Sequence, residues 1–61
     1  MKFEQYDQVI TLIDDPDFPA GTYGVVHNID SEGIWVEVYA AEDAKSPEDC
    51  LLYQEDELRH Y

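Results

Sequence analysis

The hydrophobic pattern changes character along the chain, and each change marks an element. Residues 9–13, Val-Ile-Thr-Leu-Ile, are β-branched and apolar, the composition of a strand. The run Asp14-Asp15-Pro16-Asp17-Phe18-Pro19-Ala20-Gly21 interrupts it. Its prolines lack backbone donors and its aspartates and glycine favour turns, so a loop follows, with Phe18 packing back onto the edge of the core. Residues 23–29 read as a second strand, in which Gly24 marks a bulge or a close approach of two backbones. Asp30-Ser31-Glu32-Gly33 is a hairpin turn with Gly33 at positive φ. Residues 34–39 alternate most cleanly: Ile34, Val36 and Val38 share one face, and Trp35, Glu37 and Tyr39 the other. An unpaired glutamate does not sit in a core, so the valine face points inward.

Residues 40–49 form a second loop. Its Ala-Ala-Glu-Asp-Ala-Lys stretch favours helix, but it is too short to hold one alone and Pro47 stops it. Residues 50–53 are a fourth strand, residues 54–57 a turn or one turn of 3₁₀ helix, and residues 58–61 a closing strand. Five short strands in about 60 residues predict a small all-β barrel, closed or partly closed so that few sheet edges are exposed. The expected core is Val9, Leu12, Val26, Ile29, Val36, Val38, Leu51 and Leu58. Which of Val25 and Val26 faces inward depends on the bulge and stays open.

Sixty-one residues make one domain. There is no second domain to form a cleft, and the interior of so small a barrel is filled by side chains, so a non-catalytic protein is expected. The chain is 44% hydrophobic with five Tyr, two Phe and one Trp, too apolar for a disordered acidic tail. Fifteen acidic residues stand against three basic ones, for a net charge of −12. Phosphate contacts need Lys and Arg, and only Lys2, Lys45 and Arg59 are present. Direct nucleic-acid binding and anionic membranes are therefore excluded as expectations. The acidity either keeps a small monomer or weak oligomer in solution or meets a basic partner, and composition leaves both open. A single cysteine, Cys50, forms no intramolecular disulfide. The first residues, Met-Lys-Phe-Glu-Gln, lack the apolar core of a signal peptide, and no apolar run reaches the ~20 residues of a membrane span, so the cytoplasm is the expected location.

Candidate chemistry is sparse. Asp14, Asp15 and Asp17 carry carboxylates suited to Ca²⁺, but the Gly and Glu that complete a calcium loop are missing, and solvated loop acids are the expectation. His27, Cys50 and His60 lack the paired short spacing of a zinc site. No metal or cofactor is expected. The outward face of the third strand is more informative. Trp35, Glu37, Tyr39 and, from the fourth strand, Tyr53 are the candidate partner-binding residues, because exposed Trp and Tyr beside acids are typical interface anchors. The alternative is that the 40–49 loop or Tyr53 covers the other aromatics.

Tyr6-Asp7-Gln8-Val9, the stretch Gly21-Thr22-Tyr23-Gly24-Val25-Val26, and Ile34-Trp35-Val36-Glu37-Val38 resemble small SH3-like barrels with a KOW-type core, where D-x-V opens the first strand and G-x-x-G-x-V carries the loop into the second. The closing Tyr53-Gln54-Glu55-Asp56-Glu57-Leu58-Arg59 resembles the x-E-D-x-L-R end of a stand-alone bacterial family of unknown function. The resemblance spans residues 6–59 and implies a five-stranded SH3-like barrel. Relatives of this core include RNA-contacting domains of ribosomal and transcription-elongation proteins, which are basic. This chain departs from them in charge, so RNA binding does not carry over. They also include a docking subunit of photosystem I and parts of nitrile hydratase subunits.

The function expected from these features is an acidic SH3-like module that binds a protein with a basic surface. The alternatives are a nucleic-acid mimic that inhibits a DNA-binding enzyme and a structural accessory subunit of a larger complex. Replacing Trp35 with Ala should weaken partner binding while the circular dichroism of the fold persists; loss of the fold would instead make Trp35 a core residue.

Overall fold

The computed structural model describes residues 2–61. It contains five strands, β1 (Gln8–Thr11), β2 (Tyr23–Asp30), β3 (Gly33–Val38), β4 (Asp49–Tyr53) and β5 (Leu58–His60), with a 3₁₀ turn at Glu55–Glu57. All pairings are antiparallel, and the strands form one sheet in the order β4-β3-β2-β1-β5. No helix among the described residues is long and apolar enough to cross a membrane. The 40–48 segment is irregular, with a turn bond from Ala44 N–H to the Ala41 carbonyl, and Asp49, expected in this loop, already begins β4.

The sheet is not a closed barrel. β4 and β5 are its edges and do not pair with each other. β5 is only three residues long and spends its register on β1, where Thr11 lies opposite Leu58. The sheet nevertheless curls, because Tyr53 from one edge strand and Leu58 from the other belong to the same buried cluster. The 3₁₀ turn carries the chain between those edges. Gln54 N–H donates to Glu57 Oε1 at 2.8 Å, and Glu57 N–H returns a bond to the Gln54 carbonyl at 3.0 Å, so two backbone donors are satisfied within one turn.

The core comprises Phe3, Val9, Val26, Ile34, Val36, Val38, Tyr53 and Leu58, with Phe18, Ile29 and Leu51 packed partly buried against it. The valine face of β3 points inward as its alternation predicts. Val26 faces in and Val25 is half-buried. Leu12 corrects the expectation: it is 47% exposed. A strand alternates with period two, so Val9 and Leu12, three apart, cannot share a face. Thr11 holds the inward position instead, and its burial is tolerated because its hydroxyl is used. Thr22 N–H donates to Thr11 Oγ1 at 3.1 Å, and Thr11 Oγ1 donates to the Pro19 carbonyl at 3.4 Å. The strand ends there, as Leu12 N–H turns to the Glu57 carbonyl.

Gly24 is a close approach, not a bulge. The register shift of β2 lies between Val26 and Asn28, around His27. A Cβ on Gly24 would stand 2.5 Å from Val36 Cγ1 and 3.0 Å from the Glu37 carbonyl oxygen. Gly33 closes the hairpin at φ 143° as expected, with Glu32 N–H bonded to Asp30 Oδ1 at 2.9 Å.

Gly24→Ala should therefore destabilise the domain by about 1–3 kcal/mol in chemical denaturation, the usual cost of overpacking. Adding Val36→Ala, which removes the clashing methyl, should make the pair less destabilising than the sum of the two single changes.

Candidate functional site

Period-two alternation assembles the outer face of the sheet as firmly as the inner one. Register places Gln8 opposite Val25, Val25 opposite Glu37 and Glu37 opposite Cys50, so these four cross the sheet in one row. Towards the hairpin, the next row holds Asn28, Trp35 and Leu52. Towards the loops, Ile10 lies opposite Tyr23, and Tyr39 N–H continues the ladder by donating to the Tyr23 carbonyl at 3.0 Å.

The sequence-predicted residues separate on this frame. Trp35 is half-buried, its Nε1–H held by Asp30 Oδ2 at 3.0 Å, beside the 38% exposed Leu52. Glu37 sits mid-face, its Oε1 3.8 Å from Nδ1 of His27. Tyr39 lies at the loop end of the same face, half-buried. Tyr53 does not join them. It is 2% exposed, on the inner face opposite Ile34, because Leu51 and Tyr53 share a parity and Leu51 packs on the core. Its hydroxyl is buried without a hydrogen-bond partner among the described residues.

Tyr39 belongs to an aromatic group that includes two tyrosines the sequence did not single out. The Tyr23 ring meets Tyr39 at 5.6 Å between centroids and meets Tyr61 edge-on at 5.1 Å. Tyr23 Oη donates to Gln8 Oε1 at 2.9 Å, which fixes the ring. The Tyr61 hydroxyl donates to Glu42, and this bond, with the nearby charge, pushes its pKa up. Tyr23 and Tyr39 help to line a groove of about 560 Å³ between the two long loops. Ile10 and Phe18 add apolar surface, and Asp17 on one wall and Glu42 and Glu48 on the other supply carboxylates. None of the three cationic residues lines it. The signal for this site was the spacing of Tyr23, at the start of β2, and Tyr39, one residue past the end of β3, which antiparallel pairing brings together.

The remaining chemistry-bearing residues stay apart. Among the described residues no three His, Cys, Asp or Glu side chains converge as a metal site. Asp14 and Asp15 staple their own loop, accepting bonds from Ala20 N–H at 2.8 Å and Asp17 N–H at 3.1 Å. Cys50 is exposed on β4, and its thiol pKa is raised by partial burial and by the charges of Glu37 and Asp49, which disfavours a thiolate nucleophile. His60 stacks on Phe3, with ring centroids 4.5 Å apart. Lys2 Nζ lies over the Phe3 ring, and among the described residues the one close approach of a basic and an acidic side chain is His27 Nδ1 to Glu37 Oε1 at 3.8 Å, an ion pair only when His27 is protonated. The carboxylates of the surface are thus left without Lys or Arg partners. No protein family, curated protein or solved structure matches this chain.

Burial, then the charges of Asp15 and Glu57, push the Tyr53 pKa above its ordinary 10.0. The neutral phenol is the folded form, so stability is full below pH ~10 and falls as pH rises through the folded-state value, where the unfolded chain has already lost the proton. Tyr53→Phe should raise stability at pH 7 by about 1 kcal/mol, since it removes an unpaired buried hydroxyl, and should flatten the alkaline part of the stability profile measured by denaturant titration.

Proposed function

We propose that this chain is a non-catalytic, acidic, SH3-like module that binds a protein with a basic surface. The strand order, the 3₁₀ turn between β4 and β5 and the curled core support the SH3-like assignment, together with the D-x-V and G-x-x-G-x-V resemblance. One observation carries the function. The outer face holds a groove with tyrosines in its lining and carboxylates on both walls, and no Lys or Arg among the described residues pairs with them. An apolar surface with a charged rim is the usual anatomy of a protein interface, and uncompensated charge of one sign selects and steers a partner of the other.

Tyr39 is the anchor of this interface, with Glu37 and Trp35 continuing the same face towards the hairpin. Tyr53 contributes as core, holding the sheet beneath them. The cytoplasm remains the proposed location.

Affinity capture from lysate of the source cells, at low and moderate salt, tests the proposal. A basic protein should be retained by the natural chain, more weakly at the higher salt. Tyr39→Ala should reduce its affinity about tenfold, the scale of an interface anchor, and Glu48→Lys should reduce it further at low salt than at high salt. Displacement of that protein by duplex DNA would instead favour mimicry of nucleic acid.

A further inference from the structure

The groove's chemistry distinguishes between the two cations a basic partner can offer. Its lining includes Ile10, Phe18, Tyr23 and Tyr39, which make a partly apolar bed. The tyrosine rings touch one another, at 5.6 Å for Tyr23–Tyr39 and 5.1 Å for Tyr23–Tyr61. Rings in contact leave no gap in which a compact ammonium could be surrounded, so a cation has to lie on the aromatic surface. Tyr23 is braced for this by its bond to Gln8 and by the edge of Tyr61. On the walls, Glu42 already accepts the Tyr61 hydroxyl. Asp17 and Glu48 have side chains with no hydrogen bond to the rest of the described chain, and they border the same bed from opposite loops.

A lysine ammonium is strongly hydrated and loses water on entering such a bed. A guanidinium is planar, weakly hydrated on its faces, stacks on aromatic rings and presents a fork of donors to a carboxylate at its edge. We infer that the groove takes an arginine side chain from an extended segment of the basic partner, its plane resting on Tyr23 and Tyr39 and its edge bonded to Asp17 or Glu48. This inference rests on the reading of the chain as a module for basic partners and names the side chain that the module selects. The floor keeps its rings in place through contacts within the chain, so little ordering is required when the ligand arrives.

The test uses the whole chain and two synthetic peptides of equal length and charge, identical except that arginines in one are lysines in the other. Calorimetric titration at moderate salt should give about a five- to tenfold tighter dissociation constant for the arginine peptide, the scale of an exposed cation–π contact with its carboxylate bond. Amide shifts of Gly21, Tyr23 and Glu48 should move during the titration. Tyr39→Leu, which keeps apolar bulk and removes the ring face, should cost the arginine peptide more affinity than the lysine peptide and so erase the preference for arginine. Should Tyr39→Leu fail to fold, Asp17→Asn with Glu48→Gln, on exposed loops, should shrink the same preference. Equal affinity for the two peptides would overturn the arginine inference and leave the acidic module standing. An arginine preference that survives both variants would place the contact elsewhere and overturn the site. No binding of either peptide would overturn both.

Discussion

A lone sheet has two faces, and a core requires one of them to be closed off from water. Among the described residues one sheet is the only layer, so it covers its inner face by bending over it. That requirement explains the tight crossing of β2 on β3 at Gly24, where no Cβ fits, the shift of register at His27, and the single 3₁₀ turn that brings Leu58 against the same cluster as Tyr53. Phe3 and Phe18, from outside the strands, fill what the bend leaves open. Each device increases curvature or closes an end, and none would be needed if a helix lay across the sheet.

The two faces of the sheet are populated differently. Small β-branched residues suit the concave side, and Val9, Val26, Val36 and Val38 occupy it without exposure. Trp35, Tyr23 and Tyr39 lie on the other face, with the two long loops beside Tyr23 and Tyr39, while Phe3 and Tyr53 fill the inner one. The groove is therefore a by-product of packing that the acids of the loops have turned into a polarised surface. Its tyrosines are positioned by backbone pairing and by one another, which gives a rigid bed without any buried polar network.

Much of this was legible in the sequence. The β3 alternation identified the inner face, Asp30 and Gly33 identified the hairpin, and the proline-rich stretch identified the loop that Phe18 folds back. The errors share a cause. Val9 and Leu12 cannot both face inward on one strand, and once Leu51 is assigned to the core Tyr53 must follow it, so parity within a strand already contained the correction. Other features depended on information between strands. Thr11 is buried because Pro19 and Thr22 happen to satisfy it, and Tyr23 meets Tyr39 only through the β2–β3 register. The groove needs the path of two irregular loops, which hydrophobic pattern does not encode.

An open sheet keeps two edges, and one of them carries a small device. The carboxylate of Asp49 accepts the N–H of Cys50 at 2.8 Å, so a donor on β4 is already occupied by its neighbour. Two copies meeting along this strand would have to displace that bond and bring together net charges of −12 each. Ions weaken the second barrier and leave the first intact. Ionic strength would therefore act in opposite senses on the proposed encounter with a basic partner and on the meeting of two copies: it screens the attraction in the first and the repulsion in the second.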